Sequence, residues 1–105
     1  MAFDKKPSTW MPSWAEDATN ITVPIASFPE LTAAEADGTT GDIRKVLFAI
    51  LEKLWAVWAA TSAADRPAKM VLYRSTSVDE ENDVYTKQFT VVFKTAVTGE
   101  EVADE

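Results

Sequence analysis

The segment Val46–Ala60, VLFAILEKLWAVWAA, decides the fold of this protein. Its apolar residues recur at spacings of three and four, which is typical of a helix that buries one stripe against a core. Asp42 places negative charge where a helix dipole favours it, and Pro67 prevents the helix from continuing. We therefore expect one long helix over residues 42–64.

The apolar surface of this helix is wider than a small sheet can cover. At about 100° per residue the core stripe spans a little over 120°, and Phe48 and Trp55 widen it to roughly 200°. A helix that covers one sheet needs about 100° or somewhat more. This Phe48–Trp55 shoulder should therefore meet the chain's own N-terminal arm or the same helix of a second subunit. The stripe itself has eight residues: Ile43, Val46, Leu47, Ile50, Leu51, Leu54, Val57 and Trp58.

Residues 1–19 are predicted to form an extended arm, because prolines and small polar residues interrupt any regular period. Trp10 and Trp14 flank Pro12 in the motif WMPSW. Two tryptophans on an irregular segment favour docking onto another surface, either the chain's own domain or a neighbouring subunit.

Three segments alternate apolar and polar residues, which predicts β-strands. Residues 20–28 read as an edge strand, because Pro24 cannot donate a ladder hydrogen bond. Residues 68–78 and 84–97 flank the charged stretch DEEND and predict a β-hairpin. Between the first strand and the helix, Thr32 and Glu35 have the spacing of a capping box.

The order of these elements predicts an α+β fold in the order β-α-β-β. We expect a small, mostly antiparallel sheet of about three strands, packed by the one long helix and preceded by the extended arm. The predicted boundaries are an arm over residues 1–19, a single domain over residues 20–98 and a flexible acidic tail over residues 99–105.

The amino-acid composition excludes or disfavours several kinds of catalytic and binding site. The 105 residues include no Cys and no His, which removes thiolate chemistry, the usual general base and the usual metal ligand. A net charge of −7 disfavours nucleic acid and anionic lipid. The helix is too short and too charged at Glu52 and Lys53 to cross a membrane, and the N-terminus does not read as a signal peptide. We expect no enzyme, no cofactor and no metal, and a protein that is cytoplasmic when made.

Three stretches together resemble the small, uncharacterised structural-type proteins of marine tailed phages. They are TWMPSWAEDATNITVP, FPELTAAEADGTTGDIRKVLFAILEKLW and RSTSVDEENDVYTKQFTVVF, which span most of the chain. The resemblance implies a virion or assembly component and carries over no functional residues.

The first hypothesis is therefore a non-enzymatic homo-oligomer that serves as a phage virion or assembly subunit. The alternative is a monomeric acidic binding module or inhibitor that covers the basic surface of a host protein. A symmetric interface uses the same patch twice, which suits one over-wide helix. The predicted interface residues are Trp10, Trp14, Phe48, Leu51, Trp55 and Trp58.

Overall fold

The computed structural model describes residues 5–103, which form one long helix and two separate two-stranded antiparallel sheets. Residues 1–4 and 104–105 lie outside the described residues. The predicted α+β class is thus confirmed, whereas the three-stranded β-α-β-β sheet is wrong. In chain order the elements are α1 (Pro7–Trp10), β1 (Ala15–Glu16), β2 (Ile21–Thr22), α2 (Ile43–Ala60), β3 (Met70–Asp79) and β4 (Val84–Phe93).

Helix α2 matches the predicted long helix but ends at Ala60, four residues early. Asp42 is its N-cap, and the carboxylate accepts a hydrogen bond from the Arg44 backbone N–H at 2.9 Å. At the other end, Nε of Arg66 donates to the carbonyl oxygens of Trp58 and Thr61, each at 3.1 Å. These bonds satisfy carbonyls that a longer helix would have used, and the chain then forms a 3₁₀ turn over Ala63–Asp65.

Strands β3 and β4 form the predicted hairpin, with a continuous register from Met70 opposite Phe93 to Asp79 opposite Val84. At the turn, the Asp79 carboxylate accepts hydrogen bonds from the backbone N–H groups of Glu81 and Asn82 and from the Asn82 side chain. Strand β4 ends at Phe93, four residues before the predicted end at residue 97.

The predicted strand over residues 20–28 does not join the hairpin. Only Ile21 and Thr22 form a strand, β2, which pairs with β1 instead. Beyond them, Pro24 has a φ of −62°, and its carbonyl accepts a hydrogen bond from the Ser27 N–H, which closes a 3₁₀ turn over Ile25–Ser27. The fixed φ of proline suits such a turn. The pairing of β1 with β2 also shows that the predicted extended arm turns back onto the residues that follow it, and its residues Pro7–Trp10 form the short helix α1 rather than an extended segment.

The connector between β2 and α2 contains the predicted capping box. The backbone N–H of Thr32 donates to the Glu35 carboxylate at 2.9 Å, and the backbone N–H of Glu35 donates to the Thr32 hydroxyl at 3.2 Å. This reciprocal pair orders a short turn that brings Phe28 and Leu31 against Ala49 of α2, where all three are buried.

The C-terminal residues also fold back. Residues Thr95 and Val102 form a β-bridge, and the Ala103 N–H donates to the Lys94 carbonyl at 2.8 Å. The described part of the predicted acidic tail, residues 99–103, therefore lies against the end of the hairpin.

Candidate interaction surface

The Phe48–Trp55 shoulder lies against the chain's own hairpin. The ring of Phe48 meets the ring of Phe89 edge-on, with centroids 6.2 Å apart. The guanidinium of Arg74 lies 5.4 Å from the ring centroid of Trp55. The sequence predicted the arm or a second subunit as the partner of this shoulder, whereas both of its residues contact the hairpin and Phe48 remains 37% exposed.

Glu52 ties the same side of α2 to both strands of the hairpin. Its carboxylate oxygens lie 3.0 Å from Nη1 of Arg74 in β3 and 3.5 Å from Nζ of Lys87 in β4. Nζ of Lys87 also lies 5.3 Å from the ring centroid of Phe48. Because these groups remain partly exposed, each ion pair contributes little stability, and their effect is to fix where the hairpin sits on the helix.

Two of the six predicted interface residues lie inside the chain. Trp10 and Trp58 are 8% and 6% exposed, and their ring centroids are 6.1 Å apart. Together with Leu72 of β3 they form a buried cluster. The arm therefore docks onto the chain's own helix through Trp10.

The other four predicted residues are less enclosed. Trp14, Leu51 and Trp55 are half-buried, and Phe48 is exposed. Trp14 lies away from the shoulder, in the grooves described below, so the structure does not gather the six residues into one patch.

Two predicted core residues are exposed. Ile43 and Leu47 are 66% and 52% accessible, although the spacing of the stripe placed both against the sheet. The hairpin covers the side of α2 that carries Phe48, and the connector covers the side that carries Ala49, so neither reaches the apolar strip between them. The width of the stripe was a signal that part of it would stay uncovered, but it did not indicate which part.

Two apolar grooves share Met11 and Trp14 as a common wall, and Val46 and Ile50 of the smaller groove are the helical neighbours of Ile43 and Leu47. The larger groove has a volume of about 710 Å³, and its walls include Trp10, Leu54, Met70 and Phe93. The smaller has a volume of about 410 Å³, and its walls include Ile21, Ile25, Val46 and Ile50. We call the two grooves, with Ile43 and Leu47 next to Val46 and Ile50 on α2, the apolar face.

Several carboxylates outside the core are engaged in local structure. The Arg44 guanidinium, followed by the Arg44 backbone N–H, lowers the pKa of Asp42 to about 2. The backbone N–H of Thr19 lowers the pKa of Asp17, and the backbone N–H of Thr40 lowers that of Asp37. Within residues 5–103, no three potential ligand side chains converge to hold a metal ion.

The chain matches no protein-family model, no curated protein and no solved structure. No helix in the described part of the chain is long and apolar enough to cross a membrane. The apolar face, with its two grooves and the exposed Ile43 and Leu47, is the candidate interaction surface.

Proposed function

We propose that this protein is a non-enzymatic structural or assembly subunit that functions as a homo-oligomer. The observation that carries the proposal is the surface that one chain leaves uncovered. Its accessible area is 7787 Å², whereas a folded monomer of this mass exposes about 5,800 Å². Its radius of gyration is 16.0 Å, against about 13 Å for a compact chain of this length.

The accessible area in excess of a typical monomer is roughly 2,000 Å². A stable interface buries about 800 Å² on each partner, so this excess is large enough for association. A chain of this size depends on burial for its stability, so a second copy that covered the excess would stabilise both.

The apolar face is the part of this surface that best fits a protein partner. Ile43 and Leu47 extend it along α2, and the Met11–Trp14 wall joins its two grooves into one region. Apolar grooves flanked by exposed apolar side chains are a common place for a protein partner to bind, because the buried centre of an interface is more apolar than the rest of a protein surface. Of the predicted interface residues that are half-buried or exposed, Trp14 belongs to this face through the common wall of the grooves.

The resemblance to structural-type proteins of tailed phages favours a virion or an assembly intermediate as the place where such a subunit acts. The net charge of −7 repels the copies from one another, so the burial of the apolar face must outweigh this repulsion.

Size-exclusion chromatography with light scattering tests the proposal. We expect the molar mass of the wild-type protein at micromolar concentration to be at least twice the 11.6 kDa of one chain. The double variant Ile43→Lys/Leu47→Lys should lower the association constant at least tenfold, because it places two charges in the apolar face. The variant Ala59→Lys/Ala60→Lys adds the same charge at exposed positions outside that face and serves as the control.

A single 11.6 kDa species over the whole concentration range would contradict self-association. It would favour the alternative, an acidic binding module that acts as a monomer on a basic partner. An oligomer that both double variants leave intact would place the contact elsewhere on the chain.

A further inference from the structure

We infer that the outer edge of β4 pairs with β4 of a second copy, antiparallel and centred on Phe89. Two hairpins would then form one continuous four-stranded sheet. The inference rests on the proposed self-association and specifies one of its contacts, which adds to the apolar face.

The outer edge of β4 is open and lacks the usual protection. Within residues 5–103, β4 pairs with β3 alone over ten residues. Monomeric proteins protect such an edge with prolines, bulges or projecting charges. The sequence of β4, VYTKQFTVVF, has no proline and one charge, and that charge, Lys87, is held by Glu52. Its register with β3 contains no bulge.

The backbone shows which residues would bond across this edge. The Lys94 N–H donates to the Lys69 carbonyl at 2.9 Å, so these two form a hydrogen-bonded pair that continues the register of the hairpin. Hydrogen-bonded pairs alternate along an antiparallel ladder. The even-numbered residues of β4 therefore point their N–H and C=O groups toward β3. The odd-numbered residues point theirs outward: Tyr85, Lys87, Phe89, Val91 and Phe93.

A second β4 satisfies this pattern when odd residues face odd residues. Tyr85, Phe89 and Phe93 are spaced four apart, so the sequence is symmetric about Phe89 in its aromatic residues. Antiparallel pairing centred there places Phe89 opposite Phe89 of the second copy, and Tyr85 opposite Phe93 of the second copy. Cross-strand aromatic pairs stabilise sheets.

The same register covers surface that one copy leaves open. Tyr85 and Phe93 are 56% and 51% exposed, and they lie on the face of the hairpin that carries Phe89 toward α2. Lys87 falls opposite Val91 of the second copy, so no two like charges oppose each other directly. The pairing thus supplies both the missing backbone bonds and apolar cover for the outer half of the hairpin.

Cysteine cross-linking tests the register. Because the chain has no cysteine of its own, any disulfide that forms must join the introduced cysteines. In the inferred pairing Gln88 lies opposite Thr90 of the second copy, on the solvent face, with Cα atoms about 4.5 Å apart. That distance is within the range of a disulfide. We expect a mixture of Gln88→Cys and Thr90→Cys proteins, oxidised mildly after equilibration, to give mainly the mixed disulfide dimer, at least fivefold above either homodimer.

Each variant alone reports a competing register. A Gln88→Cys homodimer would indicate pairing centred on residue 88, and a Thr90→Cys homodimer would indicate pairing centred on residue 90. The control is Ser75→Cys, which lies opposite Gln88 in β3 and is also exposed. It should not cross-link to any of the variants.

The outcomes separate this inference from the proposed function. If light scattering shows an oligomer but the mixed disulfide does not form, or a homodimer predominates, pairing about Phe89 is wrong and the homo-oligomer stands. If the protein is monomeric throughout, both are wrong.

Discussion

Asp42 shows how one residue positions the principal element of the fold. Its Oδ1 accepts hydrogen bonds from the Arg44 backbone N–H at 2.9 Å and from Arg44 Nε at 3.1 Å. Its Oδ2 lies 2.8 Å from Nη2 of the same guanidinium. The side chain therefore caps the helix and binds a cation through one carboxylate, which is why its pKa falls to about 2.

This lowered pKa predicts a dependence of stability on acid. The carboxylate has a lower pKa in the folded state than in the unfolded chain, where it is about 3.9. Its contribution to the free energy of unfolding is therefore complete above about pH 4 and is lost as the pH falls through about 2. Asp42→Asn keeps a capping oxygen but cannot titrate, so we expect its urea-unfolding free energy to fall less steeply over this range.

The matched variant is Arg44→Met, which keeps the carboxylate and removes the main cause of its low pKa. It should move the acid-induced loss to higher pH. Equal slopes in the wild type and Asp42→Asn would show that Asp42 does not contribute to acid sensitivity.

At the scale of elements, the N-terminal segment is part of the fold. Trp10 closes the cluster with Trp58 and Leu72, and the buried Ser27 hydroxyl donates a hydrogen bond to the Pro12 carbonyl. The pairing of β1 with β2 adds a third attachment. Helix α2 consequently has the hairpin on one side and the arm and connector on others, with the apolar face left between them.

Trp10 and Trp14 should therefore respond differently to truncation. Trp10→Ala removes a buried ring and should reduce the free energy of unfolding by about 3–5 kcal/mol. Trp14→Ala removes a half-buried groove wall, and we expect a clearly smaller loss of stability together with weaker self-association. Chemical unfolding at low protein concentration measures the first effect, and light scattering measures the second. Equal losses of stability would contradict the docking of the arm through Trp10.

At the scale of the whole molecule, the chain has two small sheets and a core divided into two clusters on α2. The helix covers only part of the long hairpin, and the rest of the hairpin is exposed. This exposed part contributes to the large accessible area. A two-stranded hairpin has little independent stability, so its outer half should depend on contacts that a single copy does not make.

Such dependence predicts that stability rises with protein concentration. For a dimer, each tenfold increase in concentration should add about 1.4 kcal/mol per dimer to the apparent free energy of unfolding. Urea titrations followed by circular dichroism over a hundredfold concentration range measure this. The Ile43→Lys/Leu47→Lys variant should show a much weaker dependence, and a wild-type midpoint that does not move would argue against association.

Local interactions account for what the sequence could predict. The spacing of apolar residues predicted α2, and alternation around DEEND predicted the hairpin, because each pattern involves residues that are near in the chain. The capping box of Thr32 and Glu35 could likewise be predicted from the sequence, because its two residues are three positions apart.

The strand predicted over residues 20–28 could not be judged from a local pattern in the same way. Alternation over residues 20–28 is compatible with a strand or with an irregular turn, and in the structure only Ile21 and Thr22 form a strand, which pairs with β1. That pairing depends on how the arm folds back, which no local pattern encodes.

By itself, then, the sequence determined one long helix with an apolar circumference too wide for a small sheet, and one hairpin. The tertiary structure decided how that circumference is divided. Trp10 and Trp58 are buried together, Phe48 and Trp55 lie against the hairpin, and Ile43 and Leu47 remain exposed. The physical reason is that an apolar stripe gains the same free energy against any apolar surface. Only the placement of the covering segments in space selects which residues are buried.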